Sequence, residues 1–322
     1  MSNERKTDAP KGAGTRRIKG GSLPPPAPGK QGSTVAWLGL GAMGRPMARR
    51  LVDAGYDLRV FNRTPGRDKD LVKAGALSAR TPYDAVNGAS FVFTMVADAH
   101  ALLSLMSGKR GVLAGLAATP SKRRPVVVDM STIGREAAVE VSEMAREAGV
   151  HFVDAPVSGS VGPAARGELV ALVGGGVRVV ERVRPLLGHL CRALVHAGGP
   201  GQGQALKVVL NGLGAHHLVA LASMLALGER VGLARDVVLD AVTSGAFATP
   251  SYVSKRAKIL AHDYTPDFSL ALTLKDCRLA TDLARRAGVA LPVLSAIERE
   301  VDTGVRAGLG HLDLYALEKM YR

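Results

Sequence analysis

The chain has 322 residues, 47% of them hydrophobic and 22% charged, with a formal net charge of +14. That length and composition suit two globular domains and exclude a disordered or fibrous polymer. The two cysteines, Cys191 and Cys277, allow at most one disulfide and form no metal-ligand cluster, which argues against a metal centre and fits a reducing cytoplasm.

The first 32 residues carry seven Lys/Arg and two acids, so +5 of the +14 lies there. They hold five prolines and almost no large apolar residue. Such a segment cannot build a core and is expected to be a disordered, solvated basic tail. It lacks the apolar middle of a secretory signal, and its Gly and Pro argue against an amphipathic presequence. Weak contact with nucleic acid through this tail is the rival use of its charge.

From residue 33 short β-rich runs alternate with helical stretches. TVAWLGL (34–40) reads as a strand and 43–54 as a helix; DLRVFNR (57–63), FVFTMVA (91–97) and PVVVDMS (125–131) read as strands. HFVDAPV (151–157), LVALVGG (169–175) and RALVHAG (192–198) complete the series. Strands separated by helical stretches imply a parallel sheet with helical crossovers. After Gly198 the period becomes helical, over 202–231, 235–245, 251–262, 270–287 and 292–307. Residues 208–228 contain no Asp, Glu, Lys or Arg, a length that can span a membrane. Asn211, His216, His217 and Ser223 interrupt that run. It therefore reads as a helix buried between domains or subunits.

The first strand runs into Gly39-Leu40-Gly41-Ala42-Met43-Gly44, a G-x-G-x-x-G set between a strand and a helix. Gly39 permits the tight turn, Gly41 admits a pyrophosphate against the backbone, and Gly44 lets helix and strand pack closely. The helix N-terminus offers free N–H groups to the phosphates. NAD enzymes place Asp or Glu after the second strand to hold the ribose 2′-hydroxyl. Here Asn62-Arg63-Thr64 stands there, with no acid. Arg63 can pair with a 2′-phosphate, and Asn62 and Thr64 can hydrogen-bond to it. NADP(H) is therefore expected over NAD(H).

GLGAMGRPMARRL (39–51), VDMSTIG (128–134), DAPVSGSVGPAARGEL (154–169), GPGQGQALKVVLN (199–211) and FSLALTLKD (268–276) follow in order. Through these motifs the chain resembles the β-hydroxyacid dehydrogenase family over about residues 33–320. That family includes 3-hydroxyisobutyrate dehydrogenases, tartronate semialdehyde reductases and glyoxylate/succinic semialdehyde reductases; the Asn-Arg-Thr stretch is most similar to the last group. Pattern and resemblance together imply an α/β Rossmann-type doubly wound parallel sheet at 33–198. An all-α C-terminal domain at 199–322, serving substrate and oligomerisation, would follow it. The resemblance implies Lys207 as catalytic lysine with Asn211 as its partner amide. It implies Ser158 and Gly159 against a substrate carboxylate, Thr132 beside the nicotinamide, Lys275 reaching over from the helical domain, and Val96 and Ala97 as backbone contacts to the cofactor. It also implies a homodimer or homotetramer. Ala97, Ser160, Gly134 and Pro163 depart from the usual residues, and two of these bear on pocket shape.

Reducing a carbonyl takes a hydride and a proton for the developing alkoxide, and a lysine can supply the proton. The apolar neighbours of Lys207 favour its neutral form and lower its pKa. The N–H groups of 158–160 can hold a carboxylate without a second buried cation. His216 and His217 lie too far along the helix to join Lys207 and read as structural. The function expected is NADPH-dependent interconversion of a small carboxylate-bearing aldehyde or ketone, such as glyoxylate or succinic semialdehyde, with its hydroxy acid. The rivals are a 3-hydroxyisobutyrate or tartronate semialdehyde enzyme, an imine reductase, and a non-catalytic cofactor-binding scaffold.

Overall fold

The computed structural model describes residues 18, 20–23, 34–118 and 124–321. In chain order its elements are β1 (Gly21–Ser22), β2 (Thr34–Leu38), α1 (Gly44–Asp53), β3 (Asp57–Phe61), α2 (Lys69–Lys73), β4 (Leu77–Ser78), α3 (Pro82–Val86), β5 (Phe91–Thr94), α4 (Ala99–Met106), α5 (Val112–Ala117), β6 (Val126–Asp129), α6 (Arg135–Glu147), β7 (His151–Asp154), β8 (Val157–Ser158), α7 (Val161–Arg166), β9 (Leu169–Gly174), α8 (Val177–Leu190) and β10 (Cys191–Gly198). The helices α9 (Gln202–Arg230), α10 (Arg235–Ser244), α11 (Pro250–Leu260), α12 (Leu270–Arg286) and α13 (Pro292–Arg306) follow, then 3-10 turns at Leu309–His311 and Leu314–Met320.

Side chains on the strands are buried on both faces. Val35, Trp37, Val126 and Val128 join one apolar cluster with Met47 and Leu51 of α1 and Val183 and Leu187 of α8. Their sequence neighbours Ala36, Leu38 and Val127 join another with Leu102 of α4 and Val141 of α6. A period of two feeding two covered faces is what makes a sheet doubly wound. Trp37 and Phe93 stack across β2 and β5 at 5.4 Å.

The strand order is β1-β10-β9-β7-β6-β5-β2-β3-β4, with β8 attached to β9. From β7 to β4 every pairing is parallel. The chain reverses its direction of travel between β2 and β5, which opens the crevice where such sheets bind nucleotides. The expectation of a parallel sheet needs one amendment: β9 runs antiparallel to β7 and β8, and β10 follows β9 in parallel. The cause is α7. Its six residues span only about 9 Å, too short to carry the chain back to the far end of the sheet.

Gly21 and Ser22 lie within the stretch expected to be disordered, yet they pair antiparallel with Leu194 and Ala193. Ile18 N–H donates to His196 Nδ1 at 3.0 Å, and Leu23 N–H to Arg192 O at 2.9 Å. These residues cover the otherwise open edge of β10, so disorder does not describe them. Residues 1–17, 19 and 24–32 lie outside the described residues.

Helix α9 runs about 44 Å. Its inner face enters two apolar clusters, one with Leu274, Val301 and Leu317, the other with Leu239, Tyr252 and Ile259. By length and composition alone it passes as a membrane span; here that inner face is the core of the helical domain.

Candidate active site

The loop after β2 is shaped by what its glycines exclude. Gly39 has φ +101°, and a Cβ there would lie 2.1 Å from Met95 O. A Cβ on Gly44 would lie 2.1 Å from Gly39 O, so α1 starts pressed against the turn. Gly41 has nothing within 4 Å; its open side faces the space a pyrophosphate needs. No side chain caps α1, and no acid stands in its first turn. The helix N-terminus is thus left for an anion.

A cleft of about 440 Å³ opens beside this loop. Gly39, Leu40, Gly41, Asn62, Arg63, Thr64, Val96 and Ala97 line it as the sequence led one to expect, together with Arg67. Among the described residues no carboxylate lines it. Asn62 does more than face a ligand: its Oδ1 accepts Leu40 N–H at 2.8 Å and its Nδ2 donates to Thr64 O at 2.8 Å, tying the glycine loop to the exit of β3. Ala42 is exposed and Met43 packs on the core, so both shape the turn rather than the cleft. A glycine cradle, an uncapped helix and a cation pair fit a phosphorylated dinucleotide.

The lining of the cleft does not include Lys207, Asn211 or Ser158–Ser160. Lys207 stands on the second turn of α9, half-buried, with no hydrogen-bond or ion-pair partner among the described residues. Burial lowers its pKa to about 8; the Asp276 carboxylate opposes that shift and the Lys275 charge adds to it. Asn211 does not touch the amine. Its Nδ2 donates to Asp276 Oδ2. Lys275 Nζ donates to Thr132 O at 2.6 Å and lies 3.1 Å from Asp276 Oδ1, an ion-pair contact without hydrogen-bond alignment. Lys275 thus joins the helical domain to the loop after β6 while staying paired, and Lys207 is the unpaired cation.

Ser158 and Gly159 are exposed and Ser160 half-buried, in the turn between β8 and α7. Gly159 has φ +133°, and a Cβ there would meet Leu169 Cδ2 at 2.6 Å. Asp154 serves α9: Oδ1 accepts Gly201 N–H at 2.8 Å and Oδ2 accepts Gln204 N–H at 2.9 Å. Burial raises its pKa against those bonds.

Sequence reading missed Asp129, Ser131 and Gln204, all fully buried. Asp129 Oδ1 accepts Thr94 Oγ1 at 2.8 Å and Ser131 Oγ at 2.7 Å. Burial pushes the Asp129 carboxyl up to about 6. Ser131 Oγ in turn accepts Val96 N–H at 2.9 Å. The available signal was a glutamine three residues before Lys207, on the same helical face. His216 bonds its own helix at Gly212 O, and the buried thiols of Cys191 and Cys277 are pushed up to about 12, which leaves all three structural. No group of three or more potential metal ligands exists among the described residues.

Comparison with known proteins matches residues 34–198 to the NAD-binding domain of 6-phosphogluconate dehydrogenase. Residues 201–321 match the NAD-binding domain of NADP-dependent 3-hydroxyisobutyrate dehydrogenase. The chain is 30% identical over 284 residues to glyoxylate/succinic semialdehyde reductase 2 of Arabidopsis thaliana, covering 88% of this chain and 78% of that protein. It is 34% identical over 295 residues to the NAD-dependent L-serine dehydrogenase of Pseudomonas aeruginosa, covering 89% and 97%. Among solved structures, Mycobacterium tuberculosis 3-hydroxyisobutyrate dehydrogenase with L-serine superposes with a TM-score of 0.80 at 31% identity, covering 90% and 99%.

Proposed function

Given that the chain belongs to the β-hydroxyacid dehydrogenase family, oxidoreductases that act on CH–OH groups with a nicotinamide cofactor, we propose that it uses NADPH to reduce a small carboxylate-bearing aldehyde. Glyoxylate and succinic semialdehyde are the preferred substrates. The observation that carries this reading is Lys207, an unpaired amine on a half-buried turn with its pKa near 8. The reduced nicotinamide supplies the hydride. The Lys207 ammonium gives the proton to the carbonyl oxygen, and in reverse the neutral amine takes one from the hydroxyl. Lys275, held by Thr132 O and beside the Asp276 carboxylate, adds positive potential near the developing oxyanion. The turn at Ser158–Ser160 offers N–H groups to the substrate carboxylate.

The choice of NADPH rests on Arg63 and Arg67 lining a cleft that no carboxylate lines. A 2′-phosphate finds two cations there, and an NAD-type ribose finds no acid to hold it. A second copy of the chain fits the outer face of α9. Leu210, Leu213, His217, Ala220, Met224, Leu227 and Val231 alternate three and four apart and are all exposed. That is a self-complementary seam of the coiled-coil period. A reducing cytoplasm suits the free thiols.

The test is oxidation of NADPH and NADH by the purified protein with glyoxylate, succinic semialdehyde, tartronate semialdehyde and methylmalonate semialdehyde, with Lys207→Ala alongside. Turnover of none of the four, or near-full turnover by Lys207→Ala, refutes the reading.

A further inference from the structure

One hydrogen-bonded chain runs from the cofactor cleft to the first turn of α9, one turn before Lys207. It starts at Val96 in the cleft lining, whose N–H is held by Ser131 Oγ. Ser131 Oγ donates to Asp129 at 2.7 Å. The far end is Gln204, fully buried in the first turn of α9. Its Oε1 accepts Ile133 N–H at 3.1 Å and Gly134 N–H at 3.3 Å. Its Nε2 donates to Ser131 O at 2.7 Å and reaches Asp129 Oδ2 at 3.5 Å. Both donors and both acceptor sites of one amide are spent on residues 129–134.

That segment also contains Thr132, whose carbonyl holds Lys275. Residues 131–134 are therefore clamped from two helices, by Gln204 of α9 and Lys275 of α12. Lys207 lies three residues beyond Gln204, about 4.5 Å along the axis on the same face. Asp154 fixes the helix start from the sheet side by accepting Gly201 and Gln204 N–H. It supplies the cap that Gly201, at the N-cap position, has no side chain to make. The first turn itself contains no acid, and no side chain caps it at the N-cap position.

We propose that Gln204 is a positioning residue, setting the Lys207-bearing turn of α9 against the loop at 131–134. It touches neither substrate nor cofactor and acts through Lys207 and Thr132. The proposal rests on the reading that Lys207 handles the proton of a carbonyl reduction.

The experiment uses the full chain with Gln204→Met, which keeps length and bulk but has no amide. Hydrogen exchange without cofactor reads the clamp directly. The Ile133 and Gly134 amides should exchange at least about ten-fold faster than in the parent, because each loses its acceptor. In steady state, kcat should fall on the order of ten- to a hundred-fold, with KM for NADPH within about two-fold, since sub-ångström misplacement costs rate rather than binding. The isotope effect with nicotinamide-deuterated NADPH should rise as hydride transfer becomes slower than product release. Should Gln204→Met fail to fold by circular dichroism, Gln204→Glu, which keeps the bulk and both acceptors but not the donors, carries the same kinetic test. Unchanged exchange at Ile133 and Gly134, or kcat within two-fold of the parent, overturns the proposal. If Lys207→Ala abolishes turnover while Gln204→Met is unaffected, only the positioning role fails. If both keep turnover, the proposed function itself fails.

Discussion

Gly203 lies inside α9, where glycine is usually a defect; replacing it by alanine in an ordinary helix gains about 1 kcal/mol. Here the sign should reverse. A Cβ at 203 would stand 2.4 Å from Leu172 O, 2.7 Å from Gly174 N and 2.8 Å from Asp154 O, all backbone atoms of the sheet or its exit. Cβ contacts under 3.0 Å are essentially never seen, so helix and sheet must separate by at least about 0.6 Å. Close packing on both sides leaves no flexible side chain to yield. Overpacking of this kind costs about 1–3 kcal/mol, which outweighs the propensity gain of about 1 kcal/mol and leaves Gly203→Ala about 1 kcal/mol less stable than the parent. Gly214→Ala is the control: same helix, nothing within 4 Å, and an expected gain of about 0.5–1 kcal/mol. Urea unfolding of both variants reads the difference. The displacement also moves the first turn of α9, so Gly203→Ala should lose ten-fold or more in kcat. A Gly203→Ala protein as stable as the parent would refute the claim that α9 is seated against the sheet by glycine contact.

Three further outcomes follow from the site. Reduction needs the Lys207 ammonium, so kcat for reduction should fall above about pH 8 and oxidation should rise through the same midpoint; Asp276→Asn removes a charge that favours the ammonium, so both profiles should shift to lower pH, measured by kcat against pH. Arg63→Ala combined with Arg67→Ala should raise KM for NADPH about ten-fold or more and leave KM for NADH nearly unchanged; equal losses for both cofactors would remove the arginines from the 2′-phosphate. Leu213→Glu with Leu227→Glu puts charge into the exposed seam of α9, and sedimentation should find a smaller species than the parent; an unchanged sedimentation coefficient would place the interface elsewhere.

The sheet was legible because its strands are apolar on both faces and its breakers are glycines. Strands read at 34–40, 57–63, 91–97, 125–131, 151–157, 169–175 and 192–198 appear as β2, β3, β5, β6, β7, β9 and β10. The five C-terminal helices also lie where the 3.6-residue period put them. The direction of β9 was not legible, because strand polarity depends on what the six residues of α7 can span and not on apolar pattern. Gly21–Ser22 escaped notice for another reason. A strand of two small residues carries no period and gains its place from the free edge of β10.

The site divides along the same line. The glycine loop, Arg63 and Lys207 announce themselves, since each puts a residue type where ordinary packing would not. Gln204, Asp129 and Asp154 do not, because a buried polar residue is indistinguishable in sequence from a solvated one until its partners are known. Their value lies in contacts 47 to 75 residues apart, which no local motif encodes. The two lysines show what those contacts decide. Lys207 and Lys275 bear the same side chain on neighbouring helices, and the sequence separates them only by resemblance and by their immediate neighbours. The carboxylate of Asp276 sits beside Lys275 and Thr132 O accepts a hydrogen bond from its amine, so that cation is fixed in place. Lys207 has no hydrogen-bond or ion-pair partner among the described residues, and burial lowers its pKa to about 8, which suits the proton transfer proposed for it.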